Sequence, residues 1–540
     1  MSLKNTFSNI FSYNPNLRKK FLIPNSPNNI SDIDDKKQVI STNIDENIQY
    51  ITSKYNLLIN SDINLHEFEI NISNKKFKSC ILFIDGLVDS ASINDFILTP
   101  LQLRNTIKMN PFSSKVKLQN VQKFDLKDYL LKNLISQNSI KPEKDFEKTF
   151  EKVNSGFCAL FVDTLDTAIC IETKDIKGRS IAEPQNENVV RGSHEAFVEN
   201  IRPNTSLIRK IINNENLVIE DLSCGKITKT SIAVCYMKNI ANDDLISEVK
   251  FRINKIEIDS LVSSGELENL IKDDLNNIYP EIIATERPDR TAEFLLGGRV
   301  AILVNGSPYA LVVPALLIDF LSSSEDLNLN YFYANFLKIV RILAFAITLL
   351  LPGIYIAVTI FHDEFLPSEL LFALTAARDK IPFPIIFEII LMEISFELIR
   401  EAGIRVPSAF GQAIGIVGAL ILGEAAVTAN IVSPILVIII ALTGIAEFAI
   451  PDFSFSFSIR IFRFIYIILG YIAGLFGIIT GIFIHLCYLF SSYSFGIPIL
   501  ELNSSKMYTV KPIWKNEKRE KILNTKKPES APEISLKWRK

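Results

Sequence analysis

Apolar residues crowd the last third of the chain. The run Phe336–Phe361 and the longer stretch Phe383–Phe490 are almost unbroken, whereas the first 320 residues alternate short apolar runs with polar and charged ones. About 20 apolar residues carry a helix across the hydrocarbon layer. The pattern therefore predicts a first crossing over 336–361 and three more over about 409–430, 433–450 and 460–490, the last long enough to span with tilt. Between them, 385–401 predicts a short acidic amphipathic helix, either a fifth crossing or a re-entrant or interfacial piece. Four full crossings is the preferred count, because it returns the C-terminal tail to the face that holds the N-terminal region.

Upstream, helical pieces flank apolar or alternating runs at Phe68–Ile72, Ser79–Ile84, Phe157–Val162 and Ala168–Glu172, which predict the strands of a first α/β subdomain over 46–185. A second, over 186–325, is predicted from a helix His194–Ile212, strands Leu217–Asp221 and Thr230–Tyr236, and a helix Asp243–Ile256. It closes with a strand, turn and strand: Arg299–Val304, then Asn305-Gly306-Ser307-Pro308, then Tyr309–Val313. Residues 1–45, rich in Asn, Ser, Asp and Lys, read as a flexible arm. The fold class is thus a multi-domain membrane protein: two cytosolic α/β subdomains, a transmembrane helical domain over 326–500 and a basic tail over 501–540.

Charge sharpens this picture. The 540 residues carry a formal −3, but 503–540 hold 11 Lys or Arg against 4 Asp or Glu, a local +7 that leaves −10 elsewhere. That asymmetry argues against a nucleic-acid partner and places the tail, beside a span, on the cytosolic face. The first thirty residues lack the apolar core of a signal peptide, so the N-terminal region is expected to stay in the cytosol. Cys80, Cys158, Cys170, Cys224, Cys235 and Cys487 lack metal or redox spacing and read as free thiols in a reducing compartment.

Candidate chemistry lies in the apolar region, which retains Glu388, Glu393, Glu397, Glu424 and Glu447. A charge at mid-bilayer costs roughly 2.5–3.5 kcal/mol on insertion scales, so these carboxylates require a polar lining or partners. On a helix Glu393, Glu397 and Arg400 share one stripe, with Glu388 on roughly the opposite side. One reading is a cation-attracting vestibule where several copies surround an axis. The other is an interfacial helix whose carboxylates pair with Arg400 and Arg405 in the headgroup layer; Arg378 is a further candidate partner. Glu424 and Glu447 lie nearer helix ends, within reach of the interface.

Small residues mark close packing: Gly411, Gly415 and Gly418 on one face of 409–430, and Gly470 with Gly474 and Gly477 with Gly481 in the last run. These serve contacts within one protomer or between subunits. No enzyme, metal or cofactor is expected. The four histidines are scattered, and no nucleophile elbow, dinucleotide fingerprint or Walker loop is present. Arg191-Gly192-Ser193-His194-Glu195 reads as a turn followed by a helix capped by Ser193.

These residues, in order, resemble the A subunit of the GerA-type spore germination receptors over roughly 45–505. The likeness rests on Phe83-Ile84-Asp85-Gly86-Leu87-Val88, on Arg191-Gly192 through Glu195-Ala196-Phe197 with Glu199-Asn200-Ile201-Arg202 and Asn204, and on Gly298 to Pro314. In the membrane region it rests on Leu351-Pro352 with Tyr355, His362 with Glu364 and Pro367, Ala377-Arg378 and Pro382-Phe383-Pro384. It continues through Arg400-Glu401-Ala402-Gly403 with Arg405 and Pro407, and Gly411-Gln412 with Gly415 to Gly418. One departure is visible: Leu327 and Asn328 follow Ser324-Glu325-Asp326, where the family usually has two tyrosines. The resemblance implies an A subunit in the spore inner membrane that assembles as a homo-oligomer, a pentamer, forming a nutrient-gated cation channel. It also implies a transporter-like B subunit that binds the nutrient and a lipoprotein C subunit. A non-conducting scaffold that relays germinant binding to a separate channel is the alternative.

Overall fold

The computed structural model describes residues 39–72, 75–103, 130, 139–174, 183–405 and 423–500. Most of the arm, the basic tail, Gly411, Gly415, Gly418 and the Arg405 side chain lie outside these residues. The chain divides into two compact units. One holds the described residues up to Lys272 and Ile282–Pro314; the other holds Asp273–Glu281 and the described residues from Ala315 to 500.

The first unit contains two antiparallel five-stranded sheets. Strands β1 (Ile63–Ile72), β2 (Lys75–Ile84), β3 (Ile140–Glu143), β4 (Phe157–Val162) and β5 (Ala168–Glu172) pair in the order β1-β2-β4-β5-β3. Every residue of β4 is buried, which explains its unbroken apolar run. Helices α1 (Ile44–Tyr55) and α2 (Phe146–Asn154) supply Ile44, Ile51, Phe146 and Phe150 to one face, and Ile93, Ile97 and Leu101 cover the other.

The second sheet runs β6-β7-β9-β10-β8, from β6 (Leu217–Cys224), β7 (Thr230–Met237), β8 (Ile283–Thr285), β9 (Val300–Val304) and β10 (Ala310–Val313). Its helices are α3 (Ile201–Ile211), α4 (Asp243–Asn254), α5 (Ser264–Ile271) and α6 (Pro288–Leu296). The two sheets are tied by a buried ion pair: Arg209 on α3 donates to both Asp62 oxygens, at 2.7 and 2.9 Å, next to Asn60, which accepts the Ile219 N–H at 2.9 Å.

The helix expected from His194 starts instead at Ile201, with Asn200 as its cap accepting the Arg202 N–H at 3.1 Å. The backbone before it is committed elsewhere. Phe197 N–H donates to the Glu286 carbonyl at 2.8 Å, and Arg287 Nη2 holds the Ser193 carbonyl at 2.8 Å.

The second unit is helical: α7 (Tyr331–Phe361), α8 (Ser368–Arg378), α9 (Ile385–Arg405), α10 (Pro434–Phe448) and α11 (Phe453–Ser491). By length and composition α7 and α11 are apolar enough to cross a membrane. Their outer faces expose Phe332, Phe336, Ile339 and Leu343 on α7 and Ile472, Phe476, Ile479 and Phe483 on α11. Apolar surface of that extent belongs in a membrane rather than in water.

The single tilted span expected over 460–490 is a correction. Gly474 adopts φ +59° and ψ −144°, and α11 folds back there into two antiparallel arms, 453–473 and 475–491. Two contacts establish the hairpin: Tyr466 Oη lies 3.1 Å from His485 Nδ1, and the Phe462 and His485 rings are 4.2 Å apart. In one straight helix, 19 residues would separate the first pair by about 28 Å. A positive φ is cheap only for glycine, and Gly477 and Gly481 let the second arm lie against Leu469 and Tyr466 of the first. At about 1.5 Å per residue the arms are about 31 and 26 Å long.

Candidate functional site

Glu393, Glu397 and Arg400 do share one stripe of α9, and that stripe is turned onto α10 and α11 of the same chain. Opposite it stand Glu447, near the C-terminal end of α10, and Arg460 with Arg463, one turn apart on the first arm of α11. Arg463 Nη2 lies 3.0 Å from both Glu393 Oε2 and Glu397 Oε1, and its Nη1 lies 3.5 Å from Glu447 Oε2. Arg460 Nη1 meets Glu397 Oε2 at 2.6 Å, and its Nε lies 3.1 Å from Glu447 Oε1. Arg400 pairs with Glu447 and lies 4.0 Å from Glu397. Ser456 Oγ donates to Glu447 Oε1 at 2.8 Å.

Three carboxylates thus meet three guanidiniums, with no net formal charge. Glu393, Glu447 and Arg463 are at most 3 % exposed. Burying each ion costs several kcal/mol after relaxation, and mutual pairing offsets that only where every charge has a partner. Phenylalanines wall the cluster: Arg400 lies over Phe396 at 5.1 Å and Phe448 at 5.2 Å, and Arg460 over Phe457 at 3.9 Å.

Glu388 stands apart, as its position on α9 predicts. It is buried, accepts the Ser433 N–H at 3.1 Å and lies 3.7 Å from Arg378 Nη2, an arginine expected from the sequence to orient or pair with Glu393 and Glu397 instead. Glu424, on helical residues 423–428, is exposed and has no ionic partner among the described residues.

The glycines of the last run pack within one chain. A Cβ at Gly470 would sit 2.5 Å from the Gly353 carbonyl of α7, and one at Gly353 would sit 2.8 Å from the Tyr466 carbonyl, so the two backbones nearly touch. Gly474 serves as the hairpin turn as well as packing against Phe361.

Arg460 and Arg463 were not among the sequence-predicted site residues. Their signal is two arginines at i, i+3 in an otherwise apolar run, which with Arg400 equal in number the three carboxylates Glu393, Glu397 and Glu447.

Residues 49–522 match the family model described as Bacillus/Clostridium GerA spore germination protein. The chain is 38 % identical over 469 residues to spore germination protein KA of Bacillus subtilis (strain 168), covering 85 % of this chain and 83 % of that protein. It is 39 % identical over 373 residues to spore germination protein A1 of the same strain, covering 69 % and 77 %. Among solved structures, the N-terminal domain of the A subunit of the Bacillus megaterium spore germinant receptor GerK3 aligns at 28 % identity and a TM-score of 0.37, over 52 % of this chain and 98 % of that one.

Proposed function

This chain belongs to the GerA family of spore germination proteins, and from that premise we propose that it is the A subunit of a nutrient germinant receptor in the spore inner membrane. Several copies, in a pentamer, enclose a nutrient-gated cation path. A transporter-like B subunit binds the nutrient and a lipoprotein C subunit completes the receptor; the chain itself is not an enzyme. The N-terminal region and the tail lie in the cytosol. The candidate path carboxylates are Glu388, Glu393, Glu397, Glu424 and Glu447, with Arg378, Arg400 and Arg405 orienting them.

The observation that carries this reading is the ionic cluster enclosed by α9, α10 and α11. Ionisable groups kept inside an apolar helical domain, at a cost in stability, mark a functional region. Purified chain, reconstituted in vesicles with its partner subunits, is expected to conduct cations on nutrient addition. Glu393→Gln or Glu397→Gln is expected to lower the flux or alter its selectivity while the oligomer stays intact. Unchanged flux in both removes them from the path.

One observation favours the scaffold reading: all three cluster carboxylates are neutralised within their own chain. A scaffold predicts an intact oligomer with no flux of its own.

A further inference from the structure

Residues 273–281 interrupt the α/β chain between α5, which ends at Ile271, and β8, which begins at Ile283, yet they belong to the helical unit. They grip both arms of the hairpin. On the first arm Ser458 Oγ donates to the Ile278 carbonyl at 2.6 Å. On the second, Tyr488 Oη accepts the Ile278 N–H at 2.8 Å and donates to Asn277 Oδ1 at 2.5 Å.

Tyr279 fills the space between the arms. Its buried ring stacks on Phe462 at 5.2 Å and His485 at 5.6 Å, and its hydroxyl meets His485 Nε2 at 2.9 Å. Past the second arm, Ser494 Oγ donates to the Glu281 carbonyl at 2.5 Å and Phe495 N–H to Asp273 Oδ2 at 2.6 Å.

We infer that residues 273–281 are a transmission clasp: a displacement of α5 and β8 is carried through the covalent chain to the hairpin arms, with Tyr279 as the positioning residue. The arms are joined at Gly474 and held at their base by this segment. A shift of about 1–2 Å, the usual size of helix movements in switching proteins, therefore parts or turns them rather than being absorbed in a loop. Close packing leaves Tyr279 no slack in which to move alone.

The inference rests on the receptor reading above, and its test separates the two. Phe462→Cys on the first arm and His485→Cys on the second, whose rings lie 4.2 Å apart, are introduced together so that a bridge between them holds the arms from parting, and the receptor with its partner subunits is reconstituted. The pair is then bridged by a bifunctional methanethiosulfonate, which reductant removes. Bridging is expected to reduce nutrient-evoked flux at least tenfold relative to the same protein after reduction; equal flux in the two states overturns the clasp.

Tyr279→Phe keeps the stack and loses the hydroxyl, and it decides the matter should the unbridged cysteine variant conduct nothing. It is expected to move the half-maximal nutrient concentration at least threefold, whereas a merely structural residue lowers protein yield without moving it. An unmoved midpoint at normal yield overturns the inference. A wild-type receptor that ignores nutrient refutes the receptor reading itself, and the clasp with it.

Discussion

Replacing Glu447 with Gln asks whether charge balance holds the helical unit together. Glu447 is 3 % exposed and faces Arg400, Arg460 and Arg463. The amide keeps the shape of the side chain but leaves two carboxylates against three guanidiniums, of which Arg463 is 1 % exposed, while Glu397, at 26 %, is the cluster member that reaches solvent. Breaking one partnership of a buried ion pair costs about 3–5 kcal/mol, because the remaining charge is stranded. Adding Arg460→Gln restores two against two, so the double variant is expected to be more stable than the sum of the single effects by about 1–3 kcal/mol, the range for directly coupled residues. Detergent-solubilised protein titrated with a denaturing detergent, followed by near-ultraviolet circular dichroism, measures all four corners of the cycle. Strict additivity would refute the argument, since it would mean that Glu447 and Arg460 do not sense each other's charge.

Two further outcomes follow from the geometry. Gly470→Ala puts a methyl group 2.5 Å from the Gly353 carbonyl, a backbone atom that cannot swing aside, so α7 and α11 must separate. Overpacking of this kind costs about 1–3 kcal/mol, and an unfolding midpoint equal to wild type would show that the two helices do not cross there. Near the clasp, burial raises the Glu281 carboxyl from 4.5 to about 7; Asn277 opposes the rise and Asp273 adds to it, with Asp274 and Tyr488 as the other ionisable groups nearby. A folded-state value above the unfolded one means that its contribution is fully present below about pH 4.5 and is lost as pH climbs through about 7, some 3 kcal/mol in all. Resistance of the folded chain to a denaturing detergent is therefore expected to fall across that window. Glu281→Gln should flatten the profile, and a retained slope would assign it to another group.

Periodicity located most strands and the apolar helices, because a buried strand such as Phe157–Val162 and a lipid-facing helix such as α7 are written in consecutive residues. The stripe on α9 was legible for the same reason: i, i+4, i+7 fixes a face. What that face meets was not. Arg460 and Arg463 are separated from Glu397 by more than 60 residues, and only the packing of three helices brings them within 3.0 Å. The hairpin turn was hidden because Gly474 sits in a run where glycines three and four residues apart read equally as helix packing, and a positive φ leaves no mark on hydrophobicity. Residues 273–281 look like an ordinary loop between a helix and a strand; nothing local says that Tyr279 is an aromatic core residue of a different unit.

Symmetric assembly multiplies whatever each chain presents, and this constrains where a cation path can draw its field. Three carboxylates paired with three guanidiniums contribute a set of dipoles, and any number of copies still sums to no net charge. Coulomb attraction between such neutral groups and a passing cation falls faster with distance than that of a free carboxylate. While those pairs are made, the cluster fixes α9, α10 and the first arm of α11 as one block, and its carboxylates attract ions directly only once gating parts them from their arginines, whereas a carboxylate that lacks a compensating arginine attracts them throughout. Glu424 meets that condition among the described residues, being exposed and without an ionic partner. If copies do enclose a path, the contrast between Glu424→Gln and Glu393→Gln separates the two roles: the first should change selectivity at constant stability, and the second should change stability and gating together.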